Sequence, residues 1–417
     1  HPVLVKAGES LDAAGLSTAA VSYWKSMLAA SGRALGSEHP RTLEIRDHLA
    51  GAFESAGRLD EARELTQVSL AEREQVQGPD HPEALTTRTN LARIYREAGN
   101  FDQAIDMYAR VLADREWVLG PEHADTFGVR SQLAGTYLAA GKADQAIALY
   151  QRNLADWEQA HGPEHPDVLA EYMNLGRAYQ VANRLDDAVT IFMRVRKIRE
   201  STLGQDHPDT VAAASQLAYA YRTAGRVKEA ISLYRQVVAS RQTLLGADHP
   251  DTLTAMSNLA SCYHAAHRMK EAIPLYERLL ADRERIQGPD NRDTLTARGN
   301  LAGAYHSAGR LADALPVYEQ AVADFERVLG PDHPDTLTLR GNLAHAYYMA
   351  RRLSDSIKLF ERTIADCERA LGPDHPLTQT ITDNLRTISR LCISQAATGG
   401  HKASSARARL ISETPAA

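Results

Sequence analysis

Apolar side chains recur along this 417-residue chain with helical spacing, and the same pattern returns every 42 residues. In one copy Leu343, Ala344 and Tyr347 stand at i, i+1 and i+4, which places them on one face of a helix. A second apolar stripe, represented by Ala314 and Tyr318 in the copy before, is interrupted by charged residues in the same way. The period therefore predicts two amphipathic helices in each copy.

A motif of the form Gly-x-[Asp/Glu]-His-Pro separates the copies. Its glycine stands at positions 36, 78, 120, 162, 204, 246, 288, 330 and 372, with no insertion or deletion. Two copies depart from it, since Ala124 replaces the proline in one and Asn291-Arg292 replaces His-Pro in the other. Proline suits the first turn of a helix because its missing N–H would have no partner there. The motif therefore predicts the start of the first helix in each copy.

A glycine such as Gly57 or Gly309 closes that first helix, because glycine adopts the left-handed C-terminal conformation without a steric clash. Three copies carry another residue in this column: Asn183, His267 and Arg351. The register predicts a shortened hairpin at 1–35 and eight full hairpins at 36–77, 78–119, 120–161, 162–203, 204–245, 246–287, 288–329 and 330–371. An unpaired capping helix is expected at 374–395. A flexible tail is expected at 396–417, where the pattern stops.

The sequence Asn342-Leu343-Ala344-x-Ala346-Tyr347, with the small and aromatic positions of the second helix, resembles the tetratricopeptide repeat. The 42-residue period with Leu-Gly-Pro-Asp-His-Pro between hairpins is similar to the longer variant of kinesin light chains. It also resembles the repeat arms of actinobacterial signalling proteins, which often follow a nucleotide-binding switch domain or a kinase. The resemblance covers residues 1–395. It implies an all-α fold, a right-handed superhelical solenoid of about nine helix-turn-helix repeats plus a C-terminal capping helix. One departure is that arginine replaces the bulky aromatic residue early in the first helix of five copies: Arg46, Arg88, Arg130, Arg298 and Arg340.

Composition excludes several classes of function. With 47 basic and 53 acidic residues, the net charge of −6 offers no basic excess for a phosphate backbone, so no nucleic-acid partner is expected. No run of 18 apolar residues is present, so no membrane span is expected. The three cysteines form no CxxC pair, which favours a reducing, cytoplasmic compartment. Cys262, Trp117 and Trp157 are interpreted as packing residues.

We predict no enzyme, no catalytic residues and no cofactor, because the sequence contains no phosphate-binding loop and no hydrolase or metalloprotease motif. The histidines of the His-Pro motif could suggest a metal site. However, each repeat contributes one, and packed helices lie about 8–10 Å apart, so these histidines cannot share one ion. They are predicted to serve the turn and the helix cap, and no metal is expected.

One column of the first helix holds side-chain amides in eight copies: Asn90, Gln132, Asn174, Gln216, Asn258, Asn300, Asn342 and Asn384. An amide both donates and accepts hydrogen bonds, as a peptide backbone does. In the resembled family this column lines the concave groove and contacts extended peptides. The amides could instead cap or bridge neighbouring helices, and both roles are compatible.

Variable residues stand three and six positions after these amides: Arg222, His264, His306, His345 and Tyr348 are the main candidates for specificity. Arginine and histidine outnumber acids there, which favours an acidic partner or one with a free C-terminal carboxylate. The leading hypothesis is a scaffold that grips a protein or peptide in its groove. The alternative is a sensor or regulatory arm of a larger signalling protein with an upstream switch NTPase or kinase domain. The abrupt start without an initiator Met favours that alternative.

Overall fold

The computed structural model describes residues 2–398, and all regular secondary structure within them is α-helical. The helices are α1 (Pro2–Ala13), α2 (Ser17–Leu35), α3 (Pro40–Ser55), α4 (Leu59–Gln77), α5 (Pro82–Glu97), α6 (Phe101–Leu119), α7 (Ala124–Ala139), α8 (Ala143–His161), α9 (Pro166–Val181), α10 (Leu185–Leu203), α11 (Pro208–Thr223), α12 (Val227–Leu245), α13 (Pro250–Ala265), α14 (Met269–Gln287), α15 (Arg292–Ser307), α16 (Leu311–Leu329), α17 (Pro334–Met349), α18 (Leu353–Leu371) and α19 (Pro376–Thr398).

The chain divides into two compact units, unit 1 (His1–Ala224) and unit 2 (Gly225–Ala417). Within each unit, every helix packs against the next one along the chain. From α3 onward, odd-numbered helices up to α17 have 16 residues and even-numbered helices have 19. These are the first and second helices of the repeats, so the predicted all-α fold of helix-turn-helix repeats is confirmed. The expected tail starts at Ala396, within α19, and residues 399–417 lie outside the described residues.

The histidine of each His-Pro motif caps the first helix, as expected. His249 has an extended backbone, with φ −68° and ψ 137°, and its Nδ1 accepts a hydrogen bond from the Asp251 N–H at 3.2 Å. Where asparagine replaces histidine, Asn291 Oδ1 accepts the same bond from the Asp293 N–H at 2.8 Å. An unpaired N–H of the first turn thereby gains a partner in both cases.

Two turns in each repeat need unusual backbone conformations. Gly78, which ends α4, has φ 95° and ψ 155°, a region that only glycine enters readily, so every copy of the motif starts with glycine. The turn between first and second helices needs the ordinary left-handed region instead, which other residues enter at some cost. Asn183, His267 and Arg351 adopt it there, with φ of 57°, 56° and 63°.

The helices pack closely through small residues in the second helix. Seven alanines of one column are completely buried: Ala62, Ala104, Ala146, Ala188, Ala230, Ala272 and Ala314. Cys262 and Trp157 are buried as predicted, and the Trp157 ring lies 4.1 Å from that of Phe127. The interpretation of Trp117 as a packing residue is wrong, since it is 90% exposed. Its column is filled by polar residues in the neighbouring copies, Gln75 and Gln159, which is the pattern of a solvent-facing position.

The arginine column forms ion pairs inside the array. Arg340 is fully buried in α17 and contacts Glu326, fourteen residues earlier, and Asp366, twenty-six residues later. Four further arginines pair with a carboxylate at the later spacing, and three of them also at the earlier one: Arg46, Arg88, Arg130 and Arg298. Each pair joins a first helix to a second helix. Ion pairs therefore connect the helices at the position where the family's repeat has a bulky aromatic residue.

Candidate functional site

The first helices present one polar face that the second helices leave uncovered. On α13 this face holds Thr254, Asn258, Ser261 and Ala265, at helical spacing. None of the four is buried, whereas Leu259 beside them is 7% exposed. We call the equivalent rows of the two units the first-helix face of unit 1 and of unit 2.

The amide column lies on this face in both units. Six amides are partly buried, namely Asn90, Gln132, Asn174, Gln216, Asn258 and Asn300, and Asn342 is exposed. Asn174 donates to the Glu171 carboxylate at 3.2 Å. Among the described residues, no other side-chain amide of these seven makes a hydrogen bond, and Gln132 Oε1 is shielded from solvent without one. Six of these seven amides therefore form no hydrogen bond that could bridge neighbouring helices among the described residues.

In several hairpins, the position three residues after the amide lies next to a tyrosine of the second helix. In one hairpin the Ser261 and Tyr276 hydroxyls are 3.1 Å apart. In another, Gly135 stands at this position, and a Cβ added to it would lie 3.4 Å from the Tyr150 hydroxyl. The side chain at this position therefore decides whether the hydroxyl beneath it reaches the first-helix face.

The three histidines predicted as specificity residues gather on the first-helix face of unit 2. The His264 Nε2 and the Ser307 hydroxyl lie 2.8 Å apart, which joins α13 to α15. The rings of His306 and His345 are 5.2 Å apart, and that of Tyr348 is 6.3 Å from His345. Burial lowers the pKa of all three imidazoles, helped at His264 by His267 and at His306 by His345. The neutral form of each imidazole therefore predominates at pH 7.

The first-helix face of unit 1 carries arginines, whose positive charge does not change with pH near neutrality. Arg222 lies over the Tyr219 ring, 4.8 Å from its centroid. Arg93 pairs with Glu54 of the preceding first helix and with Glu97. Glu54 was not anticipated from the sequence as a neighbour of Arg93, although it stands one repeat before Arg96 in the same column. This pairing neutralises Arg93, so not every arginine of the face is available to an anion.

A buried carboxylate also lies beneath this face. Glu171 is 2% exposed, and it accepts hydrogen bonds from the Ser131 hydroxyl at 2.7 Å and from the Asn153 amide at 2.6 Å. Burial raises the pKa of Glu171, against the lowering effect of these bonds. The signal was visible in the sequence, because Glu171 stands where neighbouring copies carry Val129 and Ala213.

The predicted site residues thus fall into two groups. Unit 1 carries Asn90, Gln132, Asn174, Gln216 and Arg222, whereas unit 2 carries Asn258, Asn300, Asn342, His264, His306, His345 and Tyr348. Within residues 2–398, no cluster of three or more metal-ligating side chains is present, and no helix is long and apolar enough to cross a bilayer.

The sequence model of the tetratricopeptide repeat family matches residues 56–116, 125–201, 169–243, 209–285, 251–327 and 293–368, which together make up well over half of the chain. The chain belongs to the tetratricopeptide repeat family. Proteins built from tetratricopeptide repeats are typically scaffolds for protein interaction rather than catalysts. Among curated proteins, none matches the chain significantly.

Solved structures with tetratricopeptide repeats resemble the chain to different extents. A putative kinesin light chain from Podosopora anserina with nearly identical TPR-like repeats is 33% identical, with a TM-score of 0.46 over 50% of this chain and 98% of that one. A Signal Transduction ATPase with Numerous Domains from Pyrococcus horikoshii, which has a tetratricopeptide repeat sensor, is 13% identical. It gives a TM-score of 0.56 over 88% of this chain and 54% of that one, so the likeness is one of fold alone.

Proposed function

We propose that the chain is a binding module that holds an extended segment of a partner protein on its first-helix face. The observation that carries this proposal is the row of seven side-chain amides, of which all but Asn174 lack side-chain hydrogen bonds within the described residues. An extended peptide carries backbone N–H and C=O groups along its length, and a row of amides can bind both. Arg222, His264, His306, His345 and Tyr348 would then supply specificity.

The test begins with co-purification and mass spectrometry to identify a partner, followed by titration against variants. Changing Asn258, Asn300 and Asn342 to alanine together should weaken binding about 10- to 1000-fold if three neutral hydrogen bonds are lost additively. A matched control removes two exposed amides of second helices, Gln75 and Gln159, and should bind as the wild type does.

The helical circular dichroism of the triple variant should equal that of the wild type, because Asn342 is exposed and the other two amides make no hydrogen bond. Unchanged affinity in a folded triple variant would place the partner on another surface. Loss of folding would instead assign the amides a structural role.

A second candidate is the sensor arm of a larger signalling protein, with an upstream switch NTPase or kinase domain. It is supported by the likeness in fold to the Pyrococcus horikoshii ATPase with a tetratricopeptide repeat sensor. Sequencing the reading frame upstream of this chain tests it. A phosphate-binding loop or kinase domain in that frame would support the sensor arm, and a frame without either would leave the binding module alone.

A further inference from the structure

We infer that the first-helix face of unit 1 contains a carboxylate-binding cradle centred on Gly135, formed by Arg96, Arg177 and the Tyr150 hydroxyl. The inference rests on the proposed function, because the carboxylate would belong to the bound partner segment. It adds a defined subsite and the chemistry of one partner side chain.

The floor of the cradle is the Tyr150 hydroxyl. Tyr150 is 4% exposed, and its hydroxyl makes no hydrogen bond to any residue that the structure describes, yet it is not shielded from solvent as the Tyr108 hydroxyl is. The opening above it is Gly135, whose missing side chain would lie 3.4 Å away. A buried phenol with an unused donor therefore faces the surface through the gap that glycine leaves.

The other hairpins show that this gap is a local feature. At the position of Gly135, Arg93 stands beside Tyr108, and Ser261 makes a hydrogen-bonding contact with Tyr276. In the next hairpin of unit 1, Arg177 takes this position and the tyrosine is replaced by a phenylalanine, Phe192. Within unit 1, a glycine and a tyrosine coincide only in the α7–α8 hairpin of the described residues.

Two arginines stand on the first helices that precede and follow the helix of Gly135. Arg96 lies on α5 and Arg177 on α9, on either side of α7, which carries Gly135. Both guanidinium groups act on the Tyr150 hydroxyl and lower its pKa, although burial and Glu171 raise it by more. Neither arginine forms an ion pair among the described residues, in contrast to Arg93.

Together these groups match a carboxylate. Guanidinium groups donate to carboxylate oxygens in charge-assisted hydrogen bonds, and a phenol adds a third donor. The nearby Glu171 opposes an anion, but both of its oxygens already accept hydrogen bonds from Ser131, Asn153 and Asn174.

An equivalent opening exists in unit 2, four periods of 42 residues further along. There Gly303 leaves the Tyr318 hydroxyl 3.7 Å from the added Cβ, and His264 and His345 replace the two arginines. The neutral form of both histidines predominates at pH 7 because burial lowers their pKa. This opening lacks permanent positive charge, so the cradle in unit 1 is the one that selects an anion at neutral pH.

The probe is a dye-labelled hexaglutamate peptide, compared with hexaglutamine by fluorescence anisotropy at pH 7.5 and constant ionic strength. The full chain should bind hexaglutamate more tightly. Arg96→Gln and Arg177→Gln should each weaken that binding about ten-fold, since each removes a charge-assisted hydrogen bond. Arg110→Gln, an exposed arginine of α6 without an ion pair in the described residues, is the control for a general loss of charge and should have little effect.

Two further variants separate the cradle from overall charge. Tyr150→Phe removes one hydroxyl, and Gly135→Leu fills the opening with a side chain smaller than those that neighbouring copies accept there. Gly51→Leu is its matched control, because an added Cβ at Gly51 meets nothing within 4 Å and Thr66 replaces the tyrosine. Tyr150→Phe and Gly135→Leu should weaken hexaglutamate binding, whereas Gly51→Leu should not.

The cradle would be disproved if the two arginine variants lost no more affinity than Arg110→Gln, or if Gly135→Leu bound as Gly51→Leu does. Melting by circular dichroism confirms that each variant is folded. The proposed function is judged separately with the co-purified partner. A partner that depends on the amides of unit 2 but not on Arg96 or Arg177 would overturn the cradle and leave the binding module intact.

Discussion

The Arg340 guanidinium, fully buried in α17, lies 2.6 Å from the Asp366 carboxylate in α18. Removing one partner of a buried pair leaves a charge without its counterion, which is strongly destabilising. Because Arg340 also contacts Glu326, we expect Asp366→Ala to lower the free energy of unfolding by about 1.5–3 kcal/mol, as for one hydrogen bond to a charged group. Urea denaturation followed by circular dichroism measures this.

The matching double variant, Arg340→Met with Asp366→Ala, should recover a large part of that loss. Methionine already occupies this column at Met256, where it is 1% exposed, so the array accepts it. If the double variant were less stable than Asp366→Ala alone, the packing of the arginine stem would matter more than its charge.

The histidine caps should be replaceable by asparagine but not by alanine. His249→Ala removes the acceptor of the Asp251 N–H and should cost about 0.5–2 kcal/mol. His249→Asn should stay within a few tenths of a kcal/mol of the wild type, because Asn291 makes the same cap in another copy. Thermal melts of the three proteins at pH 7.5 distinguish these outcomes, and equal melting temperatures would show that the cap contributes little.

The core column of the first helix should be sensitive to truncation. Leu259 is 7% exposed, so Leu259→Ala should lower the free energy of unfolding by about 2–5 kcal/mol. Leu244→Ala removes the same atoms at a position that is 42% exposed and should cost much less. Similar losses for the two variants in urea denaturation would contradict the assignment of the core.

Stability should fall in mild acid because of the histidines of unit 2. Burial lowers the pKa of His306 and His345 in the folded chain, so the unfolded chain binds more protons as the pH falls. Their contribution is complete above the unfolded pKa of about 6.5 and is lost as the pH falls through the lowered folded values. The melting temperature should therefore drop less between pH 7.5 and pH 5 in a His306→Gln, His345→Gln double variant than in the wild type.

The control for this pH dependence is His81→Asn, which removes a histidine from a helix cap but keeps an acceptor for the Glu83 N–H. Its melting temperature should change with pH as that of the wild type does. If the melting temperature of the double variant fell as much as that of the wild type, the pKa values of His306 and His345 would be the same in the folded and the unfolded chain.

The period predicted the fold because the same side chains are repeated at each point where the backbone is restricted. Gly78 and Leu259 could be placed from one sequence, since a special φ and a buried apolar column both leave a periodic mark. The pairing of Arg93 with Glu54 left no such mark, because it depends on how two neighbouring repeats pack. The exposure of Trp117 does not follow from its aromatic character and its place late in a helix, and only the polar residues of its column indicate it.

Of the candidate site, only the row of amides was predictable from the sequence. The amide column is periodic and could be found, whereas the unused Tyr150 hydroxyl depends on the coincidence of Gly135 with a tyrosine in one hairpin of unit 1. Such a gap occurs in a single described hairpin of unit 1, so it leaves no periodic pattern in the sequence. Whether the amides bind a partner stays a prediction.

The arginine ion pairs also mean that the length of this array can change by whole repeats while the register of those ion pairs is kept. Four arginines of that column, Arg88, Arg130, Arg298 and Arg340, reach one carboxylate fourteen residues before them and another twenty-six residues after them, as Arg298 reaches Glu284 and Asp324. Excising residues 288–329 would bring Glu284 to the place of Glu326 before Arg340, and Asp366 would stay in register. Duplication or loss of a 42-residue segment therefore yields junctions that the chain already contains, so a gene encoding such an array can lengthen or shorten the row of first helices in single genetic events.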